Sequence, residues 1–368
     1  MVRKQTYPNH SPTQSKEQQV FDAIKIHFDT DKRRVKFISY LIVSFLKITT
    51  CALSEWSRAI AQPTQRVSRY KRLQRFVSQF RFSGRVCARV VWSVFGQGKQ
   101  VVLTLDRTEY QIRGQWVQVL MLGIAHQGIS IPLIWHMTNR RGNAAQSARS
   151  ALLKAFTTWL PLSATGQQLY LAADREFIGP ECRQAPFIPL IRIRSNALVG
   201  PKKAARPVNK LSQINQLRTL RKPRLVYGQK LCLAGMHLPN GDYFIVATTT
   251  YLSNIASLYS QRCGSPPGQI ETLFRAYKSR GFQWEDCRGT HHRRIHTLLF
   301  VLAISLIWAI RTSGWLIKQG QLIIQKRFKS GKAERSLVSV FRHGLDHLQD
   351  LALNRPNFQS LTKLLFCT

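Results

Sequence analysis

VVLTLDRTEY, residues Val101–Tyr110, opens with four apolar residues among its first five, three of the five β-branched, and puts Asp106 at the end of that run. This is the composition of a short buried strand that delivers a carboxylate to a sheet edge. Taken alone, Asp106 reads more plainly as a turn or cap residue. Two further carboxylates in matching settings, Asp174 and Glu271, point instead to a shared site.

Outward from this run the period is that of strands. WVQVLMLGIAHQ (Trp116–Gln127) and ISIPLIWHMT (Ile129–Thr138) follow, separated by RTEYQIRG and by the Gln127-Gly128 corner. Strands joined so tightly are antiparallel neighbours. NRRGNAAQSARSALLKAFTTWL then reads as a helix with Ala151, Leu152, Phe156 and Leu160 on one side. Leu169–Ala173 is a fourth strand ending in Asp174, and the intervening helix lets it run parallel to the first, so both Asp residues leave the same sheet edge. Pro186–Arg194 reads as a fifth strand. The order matches a ribonuclease H-like core.

Residues 195–258 interrupt that order with a basic, turn-rich piece and a β-hairpin around Pro239-Asn240-Gly241-Asp242. A helix follows Pro266-Pro267-Gly268, with Ile270, Phe274 and Tyr277 on its apolar stripe. Glu271 and Lys278, seven residues apart, share another face with Arg275 between them. The fold class is therefore mixed α/β, with a β-rich insertion between the second Asp and the Glu and helical regions at both ends. The divisions are a flexible tail (1–18), a helical DNA-binding region (19–97), the first part of the core (98–194), the insertion (195–258), the Glu271 helix with buried helices (259–318) and a basic tail (319–368).

In the N-terminal region, Ile38, Leu41, Ile42, Phe45 and Leu46 recur at helical spacing. ALSEWSRAI reads as a second helix capped by Ser54. RVSRYKRLQRFVSQF reads as a third, with Arg66, Arg69, Lys71, Arg72 and Arg75 along it. A DNA-binding head and a merely solvated basic face fit it equally well.

The chain has 55 Lys+Arg against 17 Asp+Glu among 368 residues, a formal net charge of +38. An excess of this size points to a polyanion, with nucleic acid ahead of a membrane surface. Seven Cys without a CxxC pair or a regular spacing read as reduced thiols of a cytoplasmic protein. Leu298–Ile310, the most apolar run, is too short to span a bilayer and reads as a buried helix. Neither GxxxxGK[ST] nor GxGxxG occurs, so neither ATP nor a dinucleotide is implied. His291, His292 and His296 lack the Glu of a metalloprotease motif and read as solvent- or phosphate-facing. Two Asp from one sheet edge and a Glu from a packed helix suit hard cations, Mg²⁺ or Mn²⁺, for phosphodiester chemistry.

LTLDRT, GISIPLIWHMTNRRGN, LAADREFIG and IETLFRAYKSRGF followed by Glu285-Asp286 resemble, in this order, the DDE transposases of bacterial insertion sequences, insertion-sequence family four. The resemblance spans roughly residues 60–315. It implies cut-and-paste DNA transposition with Mg²⁺, terminal inverted repeats and target DNA as partners, and a homodimer in the DNA complex. It assigns Asp106, Asp174 and Glu271 to catalysis and metal binding, and Lys278, Arg262, Tyr259 and Arg175 to DNA; Arg275, on the helix face between Glu271 and Lys278, joins the expected DNA contacts by its position. The chain departs from the family pattern at one place. Eight residues, Cys263–Ile270, separate Arg262 from Glu271 where the family has three. Three outcomes stay open: a bulged loop that leaves Tyr259 and Arg262 in place, loss of their contacts with partial activity, or a decayed copy that only binds DNA. A related nuclease without strand transfer is a further alternative. The family's insertion also commonly carries a Trp that receives a flipped base. None occurs between Asp174 and Glu271, which leaves Tyr227, Tyr243 or Tyr251 for that role.

Overall fold

The computed structural model describes residues 14–28, 30–81, 83–112, 114–139, 141–160, 166–177, 179, 186–211, 217–238, 241–255, 257–259, 269–288, 291–321, 325–326, 335–336, 338–355 and 358–365. The chain divides into two compact units. One joins the segment up to Ser78 to Leu298–Cys367; the other runs from Gln79 to Thr297. Within the stretch expected as a tail, Val340–Asn354 is a helix packed on its neighbours in the helical unit.

The helical unit begins with α1 (Lys16–Ile24), α2 (Lys32–Ile48), α3 (Leu53–Ala59) and α4 (Arg66–Gln79). The Ser15 hydroxyl and the Asp31 carboxylate accept the first-turn amides of Gln18 and Arg33, so each helix starts on a polar cap. Ser54 does not play that part. α3 begins one residue before it, at Leu53, after Ala52, which has no side-chain cap. The Trp56 indole donates to Leu41 O at 3.1 Å and to Ser44 Oγ at 2.8 Å, pinning α3 to α2 across a bend of 105°.

The second unit is built on one large mixed sheet in the order β3-β2-β1-β4-β5-β11-β10-β9-β6-β7, where β6 is Leu198–Val199, β7 Arg206–Pro207 and β9 Arg224–Val226, with β8 (Arg218–Thr219) paired to β10 beside this path. Its first strands are β1 (Gln100–Ile112), β2 (Gln115–His126), β3 (Ile129–Thr138), β4 (Gln168–Ala173) and β5 (Phe187–Arg192). β1 is antiparallel to β2 and parallel to β4, which is in turn parallel to β5. α5 (Gly84–Phe95) and α6 (Gln146–Trp159) pack on this sheet, where Trp92 meets Phe156 at 5.3 Å and Phe156 meets Phe187 at 5.4 Å.

One expectation changes here. RTEYQIRG, read as a turn, is mostly strand: β1 stays paired with β2 through Ile112, and the reversal comes at Gly114, φ 77°. The physical reason is alternation, since Tyr110 is buried while Gln111 is exposed. The insertion contains the hairpin read in its sequence. Its hairpin β10 (Gln229–His237) and β11 (Tyr243–Thr248) joins the core sheet through antiparallel pairing of β11 with β5. Pro239 and Asn240 lie outside the described residues.

The helix carrying Glu271, α7, spans Gln269–Tyr277 and packs over β1, β2 and β3. α8 (His292–Lys318) is longer than the apolar run predicts. Its length and composition would cross a bilayer, but 89% of its apolar window is buried inside the protein, as in a core helix. Within the helical unit, Trp308 on this helix donates to Leu361 O at 2.9 Å.

Candidate active site

Parallel pairing of β1 with β4 ends at Leu105 opposite Ala173. Asp106 and Asp174 are the next residue on each chain, so two carboxylates stand side by side where the two strands part, on strands about 4.8 Å apart. Both are half-buried. Each side chain turns onto the amide that follows it: Arg107 N donates to Asp106 Oδ1 at 2.8 Å and Arg175 N to Asp174 Oδ1 at 2.9 Å. Asp106 is not at the end of its strand. It lies mid-β1, and it is the end of β4 that opens the space beside it.

Alternation along β1 puts Asp106 on the face that holds Val102 and Tyr110. The Tyr110 ring meets Trp284 at 4.7 Å, and Tyr277 of α7 meets the same indole at 6.3 Å. α7 therefore covers the face from which Asp106 projects. Lys278, just past its end, donates to Glu109 O at 3.1 Å and pairs with Glu285 at 3.1 Å. The lysine thus ties α7 to β1. Glu271 is exposed in the first turn of α7, as is Arg275 in the last. Among the described residues no three acidic, histidine or cysteine side chains converge on one ion site. Asp106 and Asp174 offer the hard oxygen donors that a divalent cation needs. Glu271 is not gathered with them.

Of the expected DNA contacts, Arg175 is exposed at a cleft of about 370 Å³ that begins at Asp174. Arg192, Arg194, Asp242 and Tyr243 line the same cleft, and Arg192 Nη2 reaches Tyr243 O at 3.4 Å. Tyr259 is displaced from its expected role. Its side chain is 0% exposed, inside a cluster with Val102, Tyr170, Leu190 and Val246, and its ring meets Phe244 at 5.2 Å. An aromatic side chain surrounded by apolar neighbours gains more from burial there than from a phosphate contact. Arg262 and the added residues 263–268 lie outside the described residues. Tyr227 and Tyr251 are 50% and 41% exposed, whereas Tyr243 stacks on His237 at 4.5 Å.

The histidines also differ from expectation. His296 lies against Trp135 at 5.3 Å, and His292 Nε2 meets Asn139 Oδ1 at 2.5 Å. Burial holds both below the usual imidazole value, helped at His292 by His136 and His291. Of the three histidines His291, His292 and His296, His291 alone is exposed.

One contact had no reading in the sequence. Arg107 Nε reaches both Glu176 oxygens at 3.0 Å, and Arg107 Nη1 reaches Glu109 at 3.1 Å. Burial works against the guanidinium charge, but the bond to Glu176 and the charges of Glu176, Glu109 and Asp106 outweigh it and raise the Arg107 pKa. The one available signal was faint: residues of opposite charge lie one and two positions after the two Asp residues.

Residues 96–308 match the family model described as transposase DDE domain, which is more than half of the chain. This chain belongs to the transposase DDE domain family. Among solved structures, the DDE chain is similar to a cryo-EM structure of the piggyBac transposase synaptic complex with hairpin DNA, at a TM-score of 0.40 and 13% identity, over 95% of this chain and 82% of that one. No curated protein sequence matches it. The matched span takes in β1, β4, α7 and the start of α8, so Asp106, Asp174 and Glu271 all lie inside the DDE domain.

Proposed function

We propose that this protein is a cut-and-paste transposase of a bacterial insertion sequence, of insertion-sequence family four, with a ribonuclease H-like core that cleaves and joins DNA at the element's inverted repeats. The observation that carries this reading is the juxtaposition of Asp106 and Asp174 at the point where β1 and β4 part. Asp106, Asp174 and Glu271 would hold Mg²⁺ or Mn²⁺. Such a cation supplies charge neutralisation at the phosphate and a more acidic attacking hydroxyl. The packing of α7 supports Glu271 as the third member. That helix lies over β1, β2 and β3, with Lys278 at its end donating to Glu109 O, three residues from Asp106.

The chain's own groups would hold DNA around these carboxylates. The Arg175, Arg192 and Arg194 cleft beside Asp174 takes backbone phosphates, since it brings three guanidinium groups to one opening. Arg275 lies exposed one turn from Glu271 and adds a further contact. In this reading Lys278 positions α7 through Glu109 rather than gripping DNA. α4 is the element that enters duplex DNA. Arg66, Lys71, Arg72 and Arg75 are exposed along it, Arg72 lying over the Phe37 ring, while Arg69 is turned onto backbone carbonyls. Cleavage of two ends in one complex requires at least a homodimer.

The test is cleavage of a labelled duplex carrying the flanking inverted repeat, with Mg²⁺ or Mn²⁺, by wild type, Asp106→Ala and Asp174→Ala. The reading expects metal-dependent nicking by wild type alone, with binding retained in all three. Strand joining with a target duplex separates a transposase from a nuclease of the same fold. One observation favours a second reading, a decayed copy that only binds DNA: Tyr259, which the family pattern assigns to DNA, is buried. Tight binding without nicking under any divalent cation would establish that reading instead.

A further inference from the structure

Backbone pairing between β1 and β4 stops one residue short of the two Asp side chains. Beyond that point the two chains are held by a side-chain tie: the Nε of Arg107, next to Asp106, faces both oxygens of Glu176, two residues after Asp174, at 3.0 Å. The tie is well enclosed, with 21% and 15% side-chain exposure. It is also braced on both sides. Arg107 Nη1 meets Glu109 at 3.1 Å, the Glu109 carboxylate accepts Gly142 N at 3.4 Å, and Arg149 Nη1 donates to Ala144 O at 2.8 Å and to Glu176 O at 3.4 Å. Exposed ion pairs are loose. This one is fixed by several donors in a half-dry setting, where such pairs set geometry.

We propose that Arg107 and Glu176 are positioning residues that fix the separation of Asp106 and Asp174 and thereby set the affinity of that carboxylate pair for a divalent cation. This rests on the reading of Asp106 and Asp174 as metal-holding groups. Glu176 neutralises the Arg107 charge, which would otherwise repel a cation beside Asp106. Arg107 in turn stops Glu176 from swinging toward Asp174 as a competing ligand. Partners that orient metal-holding groups from behind typically change metal affinity by 10–100-fold.

The experiment is calorimetric titration of Mn²⁺ into the full chain, with melting temperature recorded for every variant. The variants are Glu176→Gln, Arg107→Gln, the exchanged pair Arg107→Glu with Glu176→Arg, Asp106→Asn, and Arg58→Gln as a control that breaks an exposed pair with Glu55. The expected result is Mn²⁺ affinity reduced by about tenfold or more in both single variants, restored at least threefold in the exchanged pair, and unchanged in Arg58→Gln. The isosteric Glu176→Gln and the exchanged pair keep the test open should Arg107→Gln fold poorly. Mn²⁺ binding that depends on Asp106 but stays within twofold of wild type in Glu176→Gln overturns the positioning role alone. No Mn²⁺ binding by wild type, or binding that Asp106→Asn leaves intact, overturns the metal reading and the positioning role with it.

Discussion

On α4 the five cations divide into two groups that salt-dependent binding can tell apart. Arg69 is spent on the fold: its Nε donates to Ser57 O at 3.0 Å, and Nη1 donates to Gln62 O at 3.0 Å and Thr64 O at 2.8 Å, closing the connection from α3 to α4. Arg72 lies over the Phe37 ring at 4.6 Å. Lys71 and Arg75 are exposed, as is Arg66. Each phosphate contact contributes about −0.9 to the slope of log K against log salt, so Lys71→Gln with Arg75→Gln should reduce the slope by about 1.8. From 50 to 200 mM salt, a fourfold change, wild type should then lose about twelvefold more affinity than the double variant. The melting temperature should not move. Arg69→Gln removes the same unit of charge but three carbonyl partners, which costs about 2–3 kcal/mol and lowers melting by roughly 5–10 °C, with a slope change under about 0.5 in the folded protein. Fluorescence anisotropy with an inverted-repeat duplex at five salt concentrations measures both. An unchanged slope in the double variant, or the same per-charge slope loss in a fully stable Arg69→Gln, refutes the division.

Gly344→Ala should destabilise the helical unit by about 3 kcal/mol, because the added Cβ would stand 1.7 Å from Ala309 O and 2.9 Å from Ser313 N. Gly314→Ala, with nothing within 4 Å of its Cβ, should instead gain about 0.5–1 kcal/mol in the same denaturation assay. Gly123→Ala brings a Cβ to 2.1 Å from Ser130 Oγ and disrupts the 2.6 Å Thr104–Ser130 hydrogen bond two residues before Asp106, so nicking and melting temperature should fall together. His296 is held below its unfolded value of 6.5 by burial, so the unfolded chain binds the proton first as pH drops. Stability should fall below about pH 6.5, by at most about 1.4 kcal/mol per pH unit for this group, and His296→Gln should flatten that slope in melting curves from pH 7 to 5.

The strands around Asp106 were legible because their signal is local. Apolar runs, tight corners and the helix between β3 and β4 dictate which neighbours are antiparallel and which can be parallel, and that is enough to bring Asp106 beside Asp174. The start of α7 was legible for the same reason, with Pro266-Pro267-Gly268 just ahead of Gln269. What the sequence alone determined is therefore the set of elements, the basic character and the two neighbouring carboxylates.

Tertiary structure decided the rest, because it depends on partners distant in the chain. Arg69 and Lys71 sit on one basic helix, and only packing shows that the first caps carbonyls while the second faces solvent. The family resemblance implied a DNA contact for Tyr259, but the sheet face offers it apolar neighbours from five strands, and burial of that area outweighs an exposed position. The Arg107–Glu176 tie joins residues 69 positions apart. No periodicity encodes such a contact, since it exists only where the register of β1 against β4 places the two side chains together.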